Sequence, residues 1–371
     1  MTTRRTFLVH STGLLALAGA ASLFPACASV VRGDFTTTSQ NDTPPGLDAV
    51  ALAMLELASL APSSHNVQPW LIRYPDARHW SLETDARRRL PVVDPDGREM
   101  WLSLGAFLEN LDNAARNRGL RLHTRCGGSL ADGKVLLDLA KDSVQPGMPD
   151  AVLRARRTVR KGLLNTALTT AHVHALLDGI DGARFVAAGS PDAARIAEAV
   201  AASTEQQNAR RDAMRELSEW IHWSNREAAA RRDGLTPASM DITGVGGLVV
   251  RTFFSKESVT SPSFARKGNA MVREQVGQGG GWLLVAAIAP DSLADTLDAG
   301  RRFERLALRA CRLGIAVHPM SQPLEEEPWS SELTTALGGN ALHFLLRVGY
   351  VEKYPEPVSL RRPVRDFAIP A

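Results

Sequence analysis

Hydrophobic and polar positions along this chain follow two periods, one typical of helices and one typical of strands. Apolar residues recur every three to four positions over several stretches, which predicts helices at 47–60, 99–119, 151–159, 170–177 and 297–313 and a long charged helical region at 192–230. Short apolar runs predict strands at 70–72, 80–82, 120–124, 183–188, 315–318 and 343–348, and the run at 282–288 predicts a buried strand. Helices and strands therefore alternate along the whole chain.

One helical pattern occurs twice. The stretch 105–120 begins at Gly105, carries an apolar stripe and ends at Gly119 before a strand, and the stretch 300–315 does the same between Gly300 and Gly314. The match predicts two copies of one helix-and-sheet unit within the chain.

The N-terminus has the composition of an export signal. Arg4-Arg5 precedes Phe7-Leu8, an apolar run over 13–24 and Ala26-Cys27-Ala28, which predicts a twin-arginine signal peptide at 1–28 and a flexible leader at 29–45. Cleavage after Ala28 would release a soluble periplasmic protein through the twin-arginine export machinery. Lipidation of Cys27, which would anchor the protein to a membrane, stays open.

Charge and composition exclude several classes of function. The formal net charge is +3, and it falls to +1 when Arg4 and Arg5 leave with the signal peptide. No basic stripe interleaved with aromatic residues is present, so we expect no nucleic-acid partner. The three cysteines lack the spacing of a metal site, and we expect no metal.

The segment 61–70, Ala-Pro-Ser-Ser-His-Asn-Val-Gln-Pro-Trp, lies between a predicted helix and a predicted strand. Pro62 and Ser63 end the helix, and Ser64, Asn66 and Gln68 then offer hydrogen-bond donors and acceptors with little charge. Such a set suits the edge of a neutral heteroaromatic ring better than a phosphate or a metal. The simpler interpretation is a capped turn that leads into a strand.

Two arginine-rich segments are candidates for an anion site. Arg156-Arg157-Thr158-Val159-Arg160 combines guanidinium forks with a hydroxyl, which suits phosphate oxygens, and Arg361-Arg362 follows the last long strand. Either segment could equally be a solvated surface.

Taken together, these segments closely resemble the FMN-dependent nitroreductase superfamily, and their order within one chain resembles its Acg-type branch. The resemblance covers about residues 45–368 and implies an α+β fold of two fused nitroreductase-like halves. Each half would have a mainly antiparallel sheet flanked by helices, with one half at 46–148 and the other at 149–371. It also implies a helical lid inserted at about 205–265, one FMN at the junction and a monomer with an internal pseudo-dimer. Trp220 and Trp223 would belong to that lid or would simply be packing residues.

The resemblance also implies roles for individual residues. Arg156, Arg157, Thr158 and Arg160 would hold the FMN phosphate, together with Arg361 or Arg362. The ring or the ribityl chain would contact Ser63, Ser64 and Asn66, and the segment Pro319-Met320-Ser321 would run past the ring. No side chain is expected to act as a catalytic acid, base or nucleophile.

The activity implied is an exported oxidoreductase that passes electrons through flavin N5 to a nitro, quinone or similar small-molecule acceptor. Export leaves little NAD(P)H as a donor, so an alternative is a protein that sequesters or stores FMN under its lid without turnover.

Overall fold

The computed structural model describes residues 29–35, 44–289 and 292–371, and within them it is an α+β protein with two sheets, which confirms the predicted fold class. The strands are β1 (Trp70–Tyr74), β2 (His79–Thr84), β3 (Leu120–Gly127), β4 (Lys134–Lys141), β5 (Ala183–Ala187), β6 (Gly281–Ala286), β7 (Ile315–Pro319), β8 (Leu342–Tyr350) and β9 (Ala368–Pro370). The α-helices are α1 (Ala49–Ala58), α2 (Arg98–Arg116), α3 (Asp150–Ala155), α4 (Thr170–Leu177), α5 (Pro191–Ala209), α6 (Arg211–Glu219), α7 (Asn225–Arg231), α8 (Gly244–Phe253), α9 (Lys256–Val259), α10 (Pro262–Val276), α11 (Leu293–Arg312) and α12 (Trp329–Ala336).

The first sheet has the strand order β3-β4-β2-β1-β9. Its first four strands are antiparallel, whereas β9 runs parallel to β1, with Ile72 opposite Ala368. The last residues of the chain therefore return to the sheet that its first strands build. The arginine pair at 361–362 immediately precedes this return, and is thereby brought beside the segment 61–70.

The second sheet has the order β5-β6-β8-β7 and is antiparallel throughout. Its inner strand β8 is buried along almost its whole length, including the polar residues His343 and Arg347. Strand β7 ends at Pro319, so the segment 319–321 leaves the sheet at the edge where the site is built.

Helices α2 and α11 cross at the two glycines that begin the repeated pattern. A Cβ atom built on Gly105 would lie 2.1 Å from the carbonyl oxygen of Leu297, and one built on Gly300 would lie 2.1 Å from that of Leu102. Each glycine thus meets the residue three positions before the other, a reciprocal contact of the kind a two-fold relation produces. Gly119 and Gly314, which end the two patterns, both have positive φ, at 67° and 69°.

The region 192–230, predicted as a long charged helical region, contains the three helices α5, α6 and α7. The helix predicted at 151–159 ends at Ala155, because the following residues are extended and the N–H of Val159 bonds to the carbonyl of Val317 beside β7. Among the described residues no helix is long and apolar enough to cross a membrane. The predicted signal peptide 1–28 and residues 36–43 of the predicted leader lie outside the described residues.

Candidate functional site

The loop at 62–70 has an unusual backbone. His65, Asn66 and Gln68 have positive φ values of 46°, 54° and 54°, a region that residues other than glycine seldom occupy. Ser63 holds this conformation, since its Oγ accepts the N–H of Gln68 at 2.9 Å and its carbonyl accepts the N–H of Asn66 at 2.9 Å. Such local strain persists where the surrounding structure enforces it, and it is concentrated at functional sites.

A cavity of about 190 Å³ lies beside this loop, where α2 and α11 approach each other. Its apolar walls include Leu102 of α2, Phe303 of α11 and Phe344 of β8. The predicted site residues that line it are Ser63, Ser64, Thr158, Arg160, Pro319 and Ser321. We call this space the ring cavity.

A second cavity of about 100 Å³ adjoins the first and shares Pro62, Ser63, His65, Thr158 and Arg160 with it. Its other walls carry four more of the predicted residues, Asn66, Arg156, Arg157 and Arg361, and also Arg32, which the sequence alone did not indicate. We call this space the arginine cavity. Together the two spaces lie near the lower end of the range of about 300–1,000 Å³ that is usual for ligand pockets.

Positive charge exceeds negative charge around the arginine cavity. Arg157 Nη2 donates to Asp241 Oδ1 at 2.6 Å, and Arg156 Nε lies 3.1 Å from Glu304 Oε1. Burial raises the pKa of Glu304 to about 7, so at neutral pH this carboxyl offsets its neighbour's charge only in part. Burial also lowers the pKa of Arg160, whose Nη1 donates to the carbonyl of Ser239 at 2.6 Å. A guanidinium cluster of this kind suits an anion with several oxygens, such as a phosphate.

Carboxyl groups stand at the opposite end of the ring cavity. Ser64 Oγ donates to Glu99 Oε2 at 2.9 Å, and Arg98 forms an ion pair with Glu99 at 2.7 Å. Glu325 accepts a hydrogen bond from Gln207 Nε2 at 2.9 Å, and its pKa is raised to about 8 by burial and by the negative charge of Glu99. At neutral pH Glu325 is therefore mainly a neutral carboxylic acid that lines the cavity.

His65 lies between the two cavities. Burial, with the nearby charge of Arg160, lowers its pKa to about 4, so the imidazole is neutral at physiological pH. Its Nδ1 is buried and has no hydrogen-bond partner among the described residues. Because buried polar atoms are nearly always paired, this atom marks a position where a bound molecule would supply the missing partner.

Residues of the predicted lid region, 205–265, cover the site. Asn66 and Gly234 exchange hydrogen bonds, at 3.1 Å through the backbone and at 2.9 Å through Asn66 Nδ2. Arg88 Nη1 donates to Asp233 Oδ2 at 2.8 Å. Burial opposes ionisation of Asp233, but hydrogen bonds from His222 and Arg88 lower its pKa to about 2. Leu235 and Gln207 reach the arginine and ring cavities respectively.

The two tryptophans of this region have different partners. Trp220 packs with Val67 of the loop and with Leu90, which lines the ring cavity, whereas Trp223 is buried in an apolar cluster within the region 205–265, with Met214, Ile221 and Val259.

Two predicted residues lie away from the cavities. The side chain of Met320 is buried in the core with Leu345, and its N–H bonds to the carbonyl of Leu345 at 2.8 Å. Within the segment 319–321, Pro319 has no N–H and the N–H of Met320 is already bonded. The N–H of Ser321 has no acceptor among the described residues, so it is the free backbone donor of this segment. Arg362 does not line either cavity; its Nη2 donates to the carbonyls of Gln68 and Trp70 and so holds the loop.

Arg361, by contrast, lines the arginine cavity and also donates to Asn66 Oδ1 at 2.9 Å. The sequence left Arg361 and Arg362 as equal alternatives, and of the two only Arg361 lines the arginine cavity. The sequence reasoning also did not identify Glu99 and Glu325, because their burial depends on contacts between distant parts of the chain.

No family model matches the chain. Similar proteins are found among known sequences and solved structures. A protein of Mycobacterium tuberculosis named as an NAD(P)H nitroreductase is 28% identical over 331 residues, 83% of this chain and 88% of the relative. PigM of a Serratia species, also named an NAD(P)H nitroreductase, is 27% identical over 187 residues, 47% of this chain and 52% of PigM. The search of solved structures finds a nitroreductase with bound FMN from Desulfitobacterium hafniense, which is 13% identical to this chain. The match covers 56% of this chain and 90% of the nitroreductase, with a TM-score of 0.30.

Proposed function

The chain is a relative of the NAD(P)H nitroreductases, and on that premise we propose that it is an FMN-binding oxidoreductase. The observation that carries the proposal is the pair of adjoining cavities, one with apolar walls and the hydroxyls of Ser63 and Ser64 at its edge, the other surrounded by guanidinium groups. A flavin mononucleotide has the same division, since a flat heteroaromatic ring is joined by a short chain to a phosphate.

The residues present fit such a molecule. Arg160 and Thr158 would bind the phosphate with Arg156, Arg157 and Arg361, and the unpartnered Nδ1 of His65 would gain a hydrogen-bond partner.

At the ring end, Ser63 and Ser64 would meet the polar edge of the flavin while Leu102, Phe303 and Phe344 contact its faces and exclude water. A bound FMN supplies a reversible two-electron carrier. The N–H of Ser321 is the donor in the segment 319–321 that could orient it.

The absorbance spectrum of the purified protein tests the proposal. We expect flavin bands, or their recovery when FMN is added, and anaerobic bleaching by NADPH followed by reoxidation with a nitroaromatic or a quinone. Arg160→Ala should weaken FMN binding, whereas Arg195→Ala, which removes an exposed arginine on α5, should leave it unchanged. A wild-type protein that takes up no flavin would refute the cofactor assignment.

A second function is favoured by the lid contacts. Gly234, Asp233 and Asp241 each bond to residues at or beside the cavities, so a bound flavin would be covered. We therefore retain FMN sequestration without turnover as the alternative. Flavin that stays oxidised under anaerobic NADPH and also exchanges slowly with free FMN would favour sequestration, and rapid bleaching would exclude it.

We further propose that the protein is exported by the twin-arginine pathway into the periplasm. The Arg4-Arg5 pattern before an apolar run supports this. Replacing both arginines by lysine should keep the protein in the cytoplasmic fraction, and an unchanged distribution between fractions would contradict the proposal. Mass spectrometry of the exported form would decide between cleavage after Ala28 and lipidation of Cys27.

Finally, we propose that the chain is an Acg-type member that functions as a monomer with an internal pseudo-dimer. The reciprocal contact of Gly105 and Gly300 supports two related halves facing each other across α2 and α11. Light scattering during size-exclusion chromatography should give the mass of one chain, and a stable dimer would contradict this.

A further inference from the structure

The short segment 29–35 crosses the outside of the arginine cavity and touches parts of the chain that are far apart in sequence. The N–H of Arg32 bonds to the carbonyl of Val358 at 3.2 Å, and its Nη2 donates to the carbonyl of Arg154 at 2.9 Å. The segment is thus attached both to the C-terminal end of α3 and to the chain that leads to Arg361.

The same segment is attached to the lid. The N–H of Val30 donates to Asn225 Oδ1 at 3.2 Å, and Ser29 Oγ accepts a hydrogen bond from Arg251. The guanidinium of Arg232 lies 4.3 Å from the centre of the Phe35 ring. Residues 29–35 therefore connect the lid, at 205–265, to the body of the protein.

The charge environment of Arg32 is unfavourable in the absence of an anion. No carboxylate lies within ion-pair distance of its guanidinium among the described residues. Burial lowers its pKa to about 10, and repulsion from Arg156, Arg154 and Arg157 acts in the same direction. Arg32 is half-buried, and a half-buried cation close to other cations is stabilised when an anion pairs with it. The missing partner is an anion in the arginine cavity, which Arg32 lines.

We propose that residues 29–35 form a strap that completes the cofactor site, with Arg32 as an additional ligand of the phosphate and Phe35 as a tie that holds the lid closed. The inference rests on the proposed function, because the phosphate concerned is that of FMN. It adds to the two arginine segments a third source of positive charge, one supplied by the predicted leader. Release of the cofactor would require this strap to detach.

The two roles can be separated with point variants of the full chain. Arg32→Ala should raise the dissociation constant for FMN by at least about tenfold, the loss expected for one charge-assisted hydrogen bond. It should leave the dissociation constant for riboflavin, which has no phosphate, unchanged. Arg32→Lys should recover part of the affinity, and Arg195→Ala, at an exposed arginine that lines neither cavity, should behave as wild type.

Thermal unfolding without flavin distinguishes a ligand from a structural residue. Arg32→Ala removes the repulsion between Arg32 and its cationic neighbours, and it also removes one exposed hydrogen bond to the carbonyl of Arg154. Without flavin the variant should therefore unfold at close to the wild-type temperature, while the temperature rise caused by FMN or by inorganic phosphate should shrink. A variant that is less stable without ligand, or that loses FMN and riboflavin equally, would overturn the assignment of Arg32 to the phosphate.

Phe35→Ala tests the strap as a tie for the lid. It removes the ring that contacts Arg232 but no charge, so it should accelerate the release of FMN and of riboflavin alike. Unchanged release rates would overturn the tie. If the wild-type protein binds neither flavin, the proposed function fails, and the inorganic-phosphate measurement on Arg32→Ala still decides whether this arginine serves an anion site.

Discussion

The crossing of α2 and α11 gives the sharpest prediction about the fold, because two glycines bring two backbones together. Replacing Gly105 by alanine would place a Cβ atom 2.1 Å from the carbonyl oxygen of Leu297, whereas such contacts are not found below 3.0 Å. The two helices would have to separate by about 1 Å. Backbone atoms cannot rotate away as a flexible side chain can.

The size of the effect follows from two opposing terms. Overpacking of a core costs about 1–3 kcal/mol, and a clash against backbone lies at the upper end of that range. Alanine in place of glycine within a helix stabilises the helix by about 1 kcal/mol, because alanine has the higher helix propensity. The net loss is therefore about 2 kcal/mol, or roughly 4 °C at about 2 °C per kcal/mol for a large chain.

Urea unfolding followed by circular dichroism measures the change, with Gly246→Ala as the matched control. Gly246 also lies in a helix, α8, but a Cβ there would meet only Ile242 Cγ2 at 3.8 Å. It should therefore gain up to about 1 kcal/mol. Gly300→Ala should behave like Gly105→Ala, and the double variant should lose less than the sum of the two, because one separation of the helices relieves both clashes.

One outcome of these urea titrations would refute the close contact between α2 and α11. If Gly105→Ala were as stable as wild type while Gly246→Ala gained stability, the close reciprocal contact between the two repeats would be wrong. The crossing of α2 and α11 would then no longer support two related halves.

Three further predictions concern the site. In urea titrations, the free energy of unfolding of Glu325→Gln should rise relative to that of wild type as the pH rises from about 5 to 8. The reason is that a carboxyl whose pKa is raised from 4.5 to about 8 by folding stabilises the protein below that interval and loses this contribution within it. A difference in free energy that stays constant with pH would contradict the assignment. Asp233→Asn should speed flavin release, and it should lower the free energy of unfolding at pH 7 but not near pH 2. A carboxylate whose pKa is lowered from 3.8 to about 2 by folding stabilises the protein above pH 3.8 and loses that effect as the pH falls towards 2. Equal destabilisation at both pH values would contradict this role of Asp233. Thr158→Val should weaken FMN but not riboflavin by about tenfold or less in fluorescence titrations, and equal loss of both would show a packing defect instead.

The sequence predicted the elements whose patterns are local. The helices α1, α2, α4 and α11 and the buried strands β6 and β8 follow their apolar spacing closely. Strand β4 was missed although Val135, Leu137 and Leu139 alternate regularly, so the signal was present. Strand β9 has only three residues and pairs with β1 across nearly the whole chain, and no local pattern could have indicated it.

The candidate site shows the same division. Residues that stand in a motif, such as Ser64 and Arg160, could be selected from the sequence and do line one space. Arg32 belongs to no motif within the predicted leader, and the pKa of Glu325 is raised only through burial beside Glu99. The position of Arg32 and the raised pKa of Glu325 both depend on the tertiary fold, so the spacing of residues along the sequence could not have predicted them.

The most direct test of the central claim is a crystal structure of the protein grown with FMN. We expect the phosphate within hydrogen-bond distance of Arg160 and Thr158, the ring between Ser64 and Phe303, and Arg32 turned towards the phosphate. A flavin bound elsewhere, or cavities that stay free of flavin at saturating FMN, would contradict the account.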